Sequence, residues 1–311
     1  MVQEEVTFRS YTRAQGDTYA IGRPAYSPKL FKVIIDHHTS TGGHLDTVVD
    51  VGCGAGQATL GLAPYFTNAI GIDQSKGMIS TARASAASKS LNVRFEVSAA
   101  ETLGSDLEPP IADGSVDLLT AATAAHWFDM ARFWRSAARV LKPGGTAALW
   151  VRTGVAVDSI RNPNGVAIRA MVKEIFATEL RPFSRLESAV ARDLYIDLPL
   201  PWVLDAPVEE FDKESFYRKE WNKYRDGAED EDEVGTGSIL TVEEFENVTG
   251  TNSTVTRWRE ANPDKVGTEE DIARMMRRRI ESLLHEVGVE PGKEVLVGQV
   301  AIALLMVKKV G

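Results

Sequence analysis

Three glycines and one acid set the chemistry that this chain can do. Gly52, Gly54 and Gly56 follow the apolar run Thr47 to Val51, and Asp73 closes the next apolar stretch, 21 residues after Gly52. Glycine permits a sharp turn and the close approach of backbone to a ligand. An acid at the tip of a second strand, near this spacing, accepts hydrogen bonds from ribose hydroxyls. Together they read as a nucleoside-cofactor site. A dinucleotide site needs a further glycine at the sixth loop position, where helix and strand close over a pyrophosphate; Gln57 stands there, which disfavours NAD.

Further along, His126 is the candidate general base, since an ordinary histidine pKa of about 6.5 suits proton removal at neutral pH; a hydrogen-bonded histidine that shapes a pocket is the competing reading. Arg152 ends another apolar run, where it can pair with a substrate carboxylate or with a covering element. Trp127, Phe128 and Trp150 offer aromatic walls for an acceptor, with core packing equally open for Trp150. The single cysteine, Cys53, has no partner for an intrachain disulfide and reads as filler of a small buried space.

The elements that position these residues alternate. A strand over Thr47 to Val51 precedes a helix that starts near Gln57; Ser75 caps a helix marked by Met78, Ile79, Ala82 and Ala86; Asp129 precedes Met130, Phe133, Trp134, Ala137, Ala138 and Leu141. Thr146 to Arg152 is the fifth strand. Such alternation implies a parallel sheet covered on both faces, with ligands bound beyond the carboxyl ends of its strands. From Gly154 to about residue 290 the pattern is mostly helical, with faces at Ile168, Met171, Val172, Ile175 and Phe176 and at Ile272, Met276, Ile280, Leu283, Leu284 and Val287, and a capping box from Thr241. Phe211 to Trp221 returns a strand to the sheet, and the unbroken run Val295 to Val307 reads as the last strand.

With Asp50 just before the turn, the loop resembles motif I of the class I S-adenosylmethionine (SAM) dependent methyltransferases. Ala99-Ala100-Glu101, Asp113 to Leu119 and Leu141-Lys142-Pro143-Gly144-Gly145 extend that similarity. Ala125-His126-Trp127-Phe128-Asp129 and Tyr19 to Tyr26 resemble the fungal trans-aconitate methyltransferase-like group, over residues 8 to 152. The resemblance implies a Rossmann-like α/β fold: a seven-stranded, mostly parallel sheet with an antiparallel last strand and a largely helical cap insertion. Residues 1–153 would form the SAM-binding core with an N-terminal lid, 154–292 the cap on the acceptor side, and 293–311 the strand that completes the sheet.

It also implies site residues. Tyr19, Arg23, Asp50, Gly52, Gly54, Gly56, Asp73, Gln74, Met78, Ala100, Glu101 and Ala121 would bind SAM and its product S-adenosylhomocysteine, Arg23 through the methionine carboxylate. Tyr11, Trp127, Phe128, Trp150 and Arg152 would face the acceptor. The implied reaction is O-methylation of a small carboxylic acid of the trans-aconitate type. A fungal secondary metabolite with a thiol or hydroxyl acceptor is the alternative, and a non-catalytic SAM-binding regulator is a third reading.

Composition sets outer bounds. With 311 residues and 43% apolar content the chain can bury a substantial core, and a net charge of -9 argues against a general nucleic-acid partner. No apolar stretch reaches the roughly 18 residues of a membrane span, and Met1 to Thr7 lacks the apolar core of a secretory signal, so the expectation is a cytoplasmic monomer or homodimer. Glu229 to Glu233 reads as a solvated loop rather than a metal site, and Arg277 to Arg279 as a solvated helix face.

Overall fold

The computed structural model describes residues 8–222, 234 and 238–311. The N-terminal helices α1 (Arg13–Gly22) and α2 (Pro28–Ser40) lead into an alternation of β1 (Thr47–Val51), α3 (Gln57–Leu62), β2 (Asn68–Asp73), α4 (Lys76–Ser88), β3 (Arg94–Val97), β4 (Val116–Ala122), α5 (Met130–Val140) and β5 (Leu141–Arg152). The chain then runs through β6 (Ala156–Val157), α6 (Gly165–Ala177), α7 (Leu186–Arg192), β7 (Phe211–Trp221), β8 (Ser238–Thr241), α8 (Val242–Gly250), α9 (Ser253–Ala261), α10 (Ile272–His285), β9 (Val295–Gln299) and β10 (Ile302–Lys309).

The main sheet has seven strands in the order β3-β2-β1-β4-β5-β10-β7. Strands β1 to β5 pair in parallel, and β10 lies antiparallel between β5 and β7. This is the Rossmann-like sheet expected from the alternation. The path leaves β1 toward β2 and β3, then returns to β4 on the other side, so α3 and α5 pack on opposite faces of the sheet and leave a crevice at the carboxyl ends of β1 and β4.

Both faces are buried because successive strand residues point to opposite sides. Val49, Leu119, Leu149 and Val151 pack toward Phe133 and Trp134 of α5, whereas Val48, Leu118, Ala148 and Trp150 pack toward Leu30, Phe31 and Ile34 of α2. Trp134 is fully buried, and its indole N–H donates to the Pro199 carbonyl at 2.9 Å, tying the insertion to the core. Truncating such a side chain to Ala typically costs about 3 to 5 kcal/mol.

Ser75 and Asp129 cap their helices by accepting from the Met78 and Arg132 amides, and Thr241 forms the expected capping box. Arg277 and Arg278 pair with Glu246, Glu281 and Glu269, as on a solvated helix face.

Two expectations need correction. The run Val295 to Val307 is not one strand: β9 pairs with β6 and β8 in a separate three-stranded sheet, and β10 begins only after the chain crosses at Val300 and Ala301. There the Ala301 amide donates to Thr153 Oγ1 and its carbonyl accepts the Thr153 amide, which joins the two sheets. The cap is therefore not all helical apart from one strand, because β6 is too short to show alternation and β8 runs straight into a helix cap. Met1 to Thr7 and Glu229 to Glu233 lie outside the described residues.

Candidate active site

The loop after β1 turns through left-handed backbone at Gly52, φ 63°, and at Gly56, φ 88°. A Cβ on Gly52 would meet that of Ala124 at 2.7 Å, so glycine is what lets the loops after β1 and β4 approach each other. Asp73 locks this loop in place. Its Oδ2 accepts the Gly54 amide at 2.9 Å and its Oδ1 accepts the Ser75 amide at 2.8 Å, while burial pushes its carboxyl above the usual range. A carboxylate with four lone-pair positions keeps two for an incoming diol.

A cavity of about 690 Å³ opens over these loops, between the core, the N-terminal segment and the cap. Tyr19, Arg23, Gly52, Gly54, Asp73, Gln74, Met78 and Ala100 line it, as do His126, Trp127, Phe128 and Arg152. Among the described residues three buried side-chain donors lack a hydrogen-bond partner, Arg23 Nε, Gln57 Nε2 and Trp150 Nε1, and of these residues Arg23 and Gln57 line the cavity. A buried donor left unpaired costs free energy, so the two on the cavity wall await an acceptor. Donors from Arg23 and Gln57, an acceptor at Asp73 and apolar contact from Met78 and Ala100 fit the carboxylate, ribose and adenine of SAM. Among the described residues no group of His, Cys, Asp or Glu could hold a metal ion.

His126 sits in a 3-10 turn, Ala125–Trp127, with Nδ1 3.0 Å from the hydroxyl of Tyr195. Burial, reinforced by the charge of Arg23, lowers its pKa to about 3. The imidazole is therefore neutral at physiological pH and a weak base, not the group titrating near 6.5 that its residue type suggests; desolvation of the cation is the reason. Arg152 closes β5 with its guanidinium over the Tyr26 ring, 5.0 Å from the centroid, and Nη1 donates to the Ala25 carbonyl at 3.4 Å. The Tyr26 hydroxyl and the Arg152 amide both bond Thr123 Oγ1, at 3.1 Å each.

Six expected site residues lie away from the cavity wall. The Asp50 carboxylate is fully buried and accepts the hydroxyls of Thr59 at 2.6 Å and Thr120 at 2.8 Å, so it braces the loop from below. A Cβ on Gly56 would meet Phe95 at 2.9 Å, which makes it a packing position between α3 and β3. Ala121 is buried within β4, and Ala122, Thr123 and Ala124 reach the cavity instead. Glu101 accepts the Asp129 amide at 2.9 Å and positions α5. Tyr11 is buried under Phe8 and Tyr19, with its hydroxyl 3.2 Å from Thr256 Oγ1. Trp150 is fully buried against Tyr26 and Phe31, one layer beneath the cavity.

The sequence reading missed Tyr195, Tyr26, Thr123 and Gln57. It also missed the cap cations Arg169 and Lys173 on α6 and Arg192 on α7. The i, i+4 spacing of Arg169 and Lys173 beside Val172 and Phe176 was the one available signal. With Arg9, Arg23 and Arg152 these make six cations on the wall, against Asp73 as the acid among the described lining residues. That excess is local, in a chain of net charge -9.

Known proteins agree with this architecture. Residues 49–149 match the model of the methyltransferase domain. The chain is 37% identical over 133 residues to a Dictyostelium discoideum protein provisionally named a methyltransferase, covering 43% of this chain and 45% of that one. It is 36% identical over 130 residues to CRG1 of Saccharomyces cerevisiae, provisionally named an S-adenosylmethionine-dependent methyltransferase, covering 41% and 42%. The chain thus spans less than half the length of these curated relatives. A solved structure from Anaeromyxobacter dehalogenans, described provisionally as a type II methyltransferase, aligns over 93% of this chain and 97% of its own at 25% identity, with a TM-score of 0.57.

Sheet order and glycine loop agree with the methyltransferase domain that residues 49–149 match. Facing the glycine loop, the chain carries a cationic wall.

Proposed function

We propose that this protein transfers a methyl group to an oxygen of a small anionic acceptor, in the first instance a carboxylic acid of the trans-aconitate type. The observation that supports this reading is the set of six cations on a wall that carries Asp73 as its acid. A neutral hydroxyl or thiol needs no such field, whereas a carboxylate must be drawn in and held against its hydration.

When bound, SAM supplies an activated sulfonium methyl group. The chain's part is to hold, orient and keep dry. Asp73 fixes the ribose end, and Arg23 with Gln57 takes the methionine carboxylate. Arg152, Arg169, Lys173 and Arg192 hold the acceptor, and Trp127 and Phe128 shield the space between. Holding two reactants in near-attack geometry is itself a large share of catalysis. A carboxylate needs no deprotonation, which agrees with a His126 that stays neutral and weakly basic. The acceptor oxygen forms the new bond to carbon as the carbon–sulfur bond breaks, giving a methyl ester and a thioether.

The aromatic residues Trp127, Phe128 and Tyr26 favour a second reading, in which the acceptor is a thiol or hydroxyl of a fungal secondary metabolite. A hydroxyl would then lack a competent base in His126. Binding without turnover is the third. Incubation with labelled SAM and a panel of carboxylic acids, dithiols and phenols separates the three. On this reading the protein acts as a cytoplasmic monomer or homodimer; among the described residues no helix is long and apolar enough to cross a membrane.

A further inference from the structure

We propose that His126 serves the acceptor anion as a hydrogen-bond donor through Nε2–H, and that Tyr195 is the positioning residue that fixes this tautomer. The inference rests on the methyltransferase reading of the site and goes beyond it, because it assigns a proton to one ring nitrogen. The geometry starts at Tyr195. Its side chain is 1% exposed, and its backbone is held on both sides: the amide donates to the Val190 carbonyl at 3.0 Å, and Arg218 Nη2 donates to the neighbouring Leu194 carbonyl at 2.7 Å. Leu194 and Tyr195 both adopt left-handed backbone, φ 56° and 59°, which turns the ring back from the end of α7 toward the loop after β4.

The phenol oxygen lies 3.0 Å from His126 Nδ1, and among the described residues this is the hydrogen bond that the buried hydroxyl makes. A buried hydroxyl that did not donate there would leave its proton unpaired, so the proton points at Nδ1. A neutral imidazole that accepts at Nδ1 carries its proton at Nε2. The ring is held neutral by burial and by the nearby Arg23. His126 lines the cavity, and with Nδ1 committed to Tyr195 its other nitrogen is the one left to meet a ligand. An N–H there suits the spare oxygen of a carboxylate and is of no use in removing a proton.

The test reads the protons directly. Protein labelled with ¹⁵N at histidine is examined by long-range ¹H–¹⁵N correlation without donor or acceptor, and the His126 signals are assigned by their loss in His126→Gln. The expected pattern is an unprotonated Nδ1 and a protonated Nε2, unchanged from about pH 5.5 to about pH 8. A proton on Nδ1, or a ring that titrates in that interval, overturns the proposal. In Tyr195→Phe, which keeps the ring, the two tautomers should mix; an unchanged spectrum overturns the role given to Tyr195.

With an acceptor in hand, Tyr195→Phe and His126→Leu should raise its KM about 10-fold while kcat stays within about 2-fold, and His126→Gln, which keeps a donor, should recover part of the loss. A large fall in kcat in both His126 variants, with KM unchanged, would make His126 a base and overturn the donor role. The spectrum is independent of turnover, so a chain that methylates nothing would defeat the proposed function and leave the tautomer to be decided by its nitrogen signals alone.

Discussion

Asp73, at the end of β2, holds the amide of Gly54, in the loop after β1, through an Oδ2 contact of 2.9 Å. One carboxylate thus shapes the glycine loop and presents its free lone pairs to a ligand. Replacing Asp73 by Ala should weaken SAM binding by an amount on the order of 2 to 4 kcal/mol, from charge-assisted hydrogen bonds of roughly 1.5 to 3 each less overlap. Calorimetry on the purified variant checks this. Unchanged affinity would place the ribose elsewhere.

The N-terminal segment should act as a cover that depends on its seat. Helix α1 rests on α4, where Thr81 donates to Asp17 at 2.7 Å and Gly16 lies against Gly77. A side chain on Gly77 would collide with the Tyr11 carbonyl oxygen. Gly77→Ala should therefore lift the segment, speed hydrogen exchange over residues 8–22 and lower SAM affinity about 10-fold, while the melting temperature moves little. In wild-type protein, exchange in the same segment should slow when SAM is added.

Removing cap cations should separate acceptor from donor. Arg169→Ala and Lys173→Ala should each raise the KM for an acid acceptor by roughly 10-fold and leave SAM affinity unaltered, since the lost contact serves ground and transition states alike. Steady-state kinetics at varied acceptor, alongside SAM calorimetry, distinguishes this from a general loss of fold, which would move both.

Asp50 should impose a pH dependence on stability. Its carboxyl is fully buried and burial raises its pKa from 3.8 to about 6, only partly countered by the hydroxyls of Thr59 and Thr120. A pKa raised in the folded state means that the group's stabilising contribution is complete below its unfolded pKa and is lost as pH rises through about 6. The loss is on the order of 3 kcal/mol, since each pH unit between the unfolded and folded values contributes about 1.4 kcal/mol. Asp50→Asn should remove that dependence, so the stability difference between variant and wild type should move in the variant's favour between about pH 4 and about pH 7. Urea melts across that range measure it.

What was legible in the sequence was local. Glycine torsions and the Gly52 to Asp73 spacing are properties of neighbouring residues, and they placed the loop, β1, β2 and the donor side of the cavity. The contacts that were missed span long separations: His126 meets Tyr195 69 positions on, and Arg152 meets Tyr26 and Ala25 from across the chain. Facing was also hidden. Trp150 and Arg152 share a side of β5, yet Trp150 lies beneath Tyr26 while Arg152, at the strand's end, reaches the cavity. Apolar content could not show that Val295 to Val307 changes sheets, because each half is buried against different partners.

The most direct measurement is transfer of labelled methyl from SAM to a panel of carboxylic acids, dithiols and phenols by the wild-type protein. The structure leads us to expect label in a base-labile methyl ester of an acid, with a rate that stays flat through the ordinary histidine range. Label that enters only thiols or phenols would contradict the anionic acceptor. SAM bound tightly with no label transferred to any class would contradict the enzyme itself.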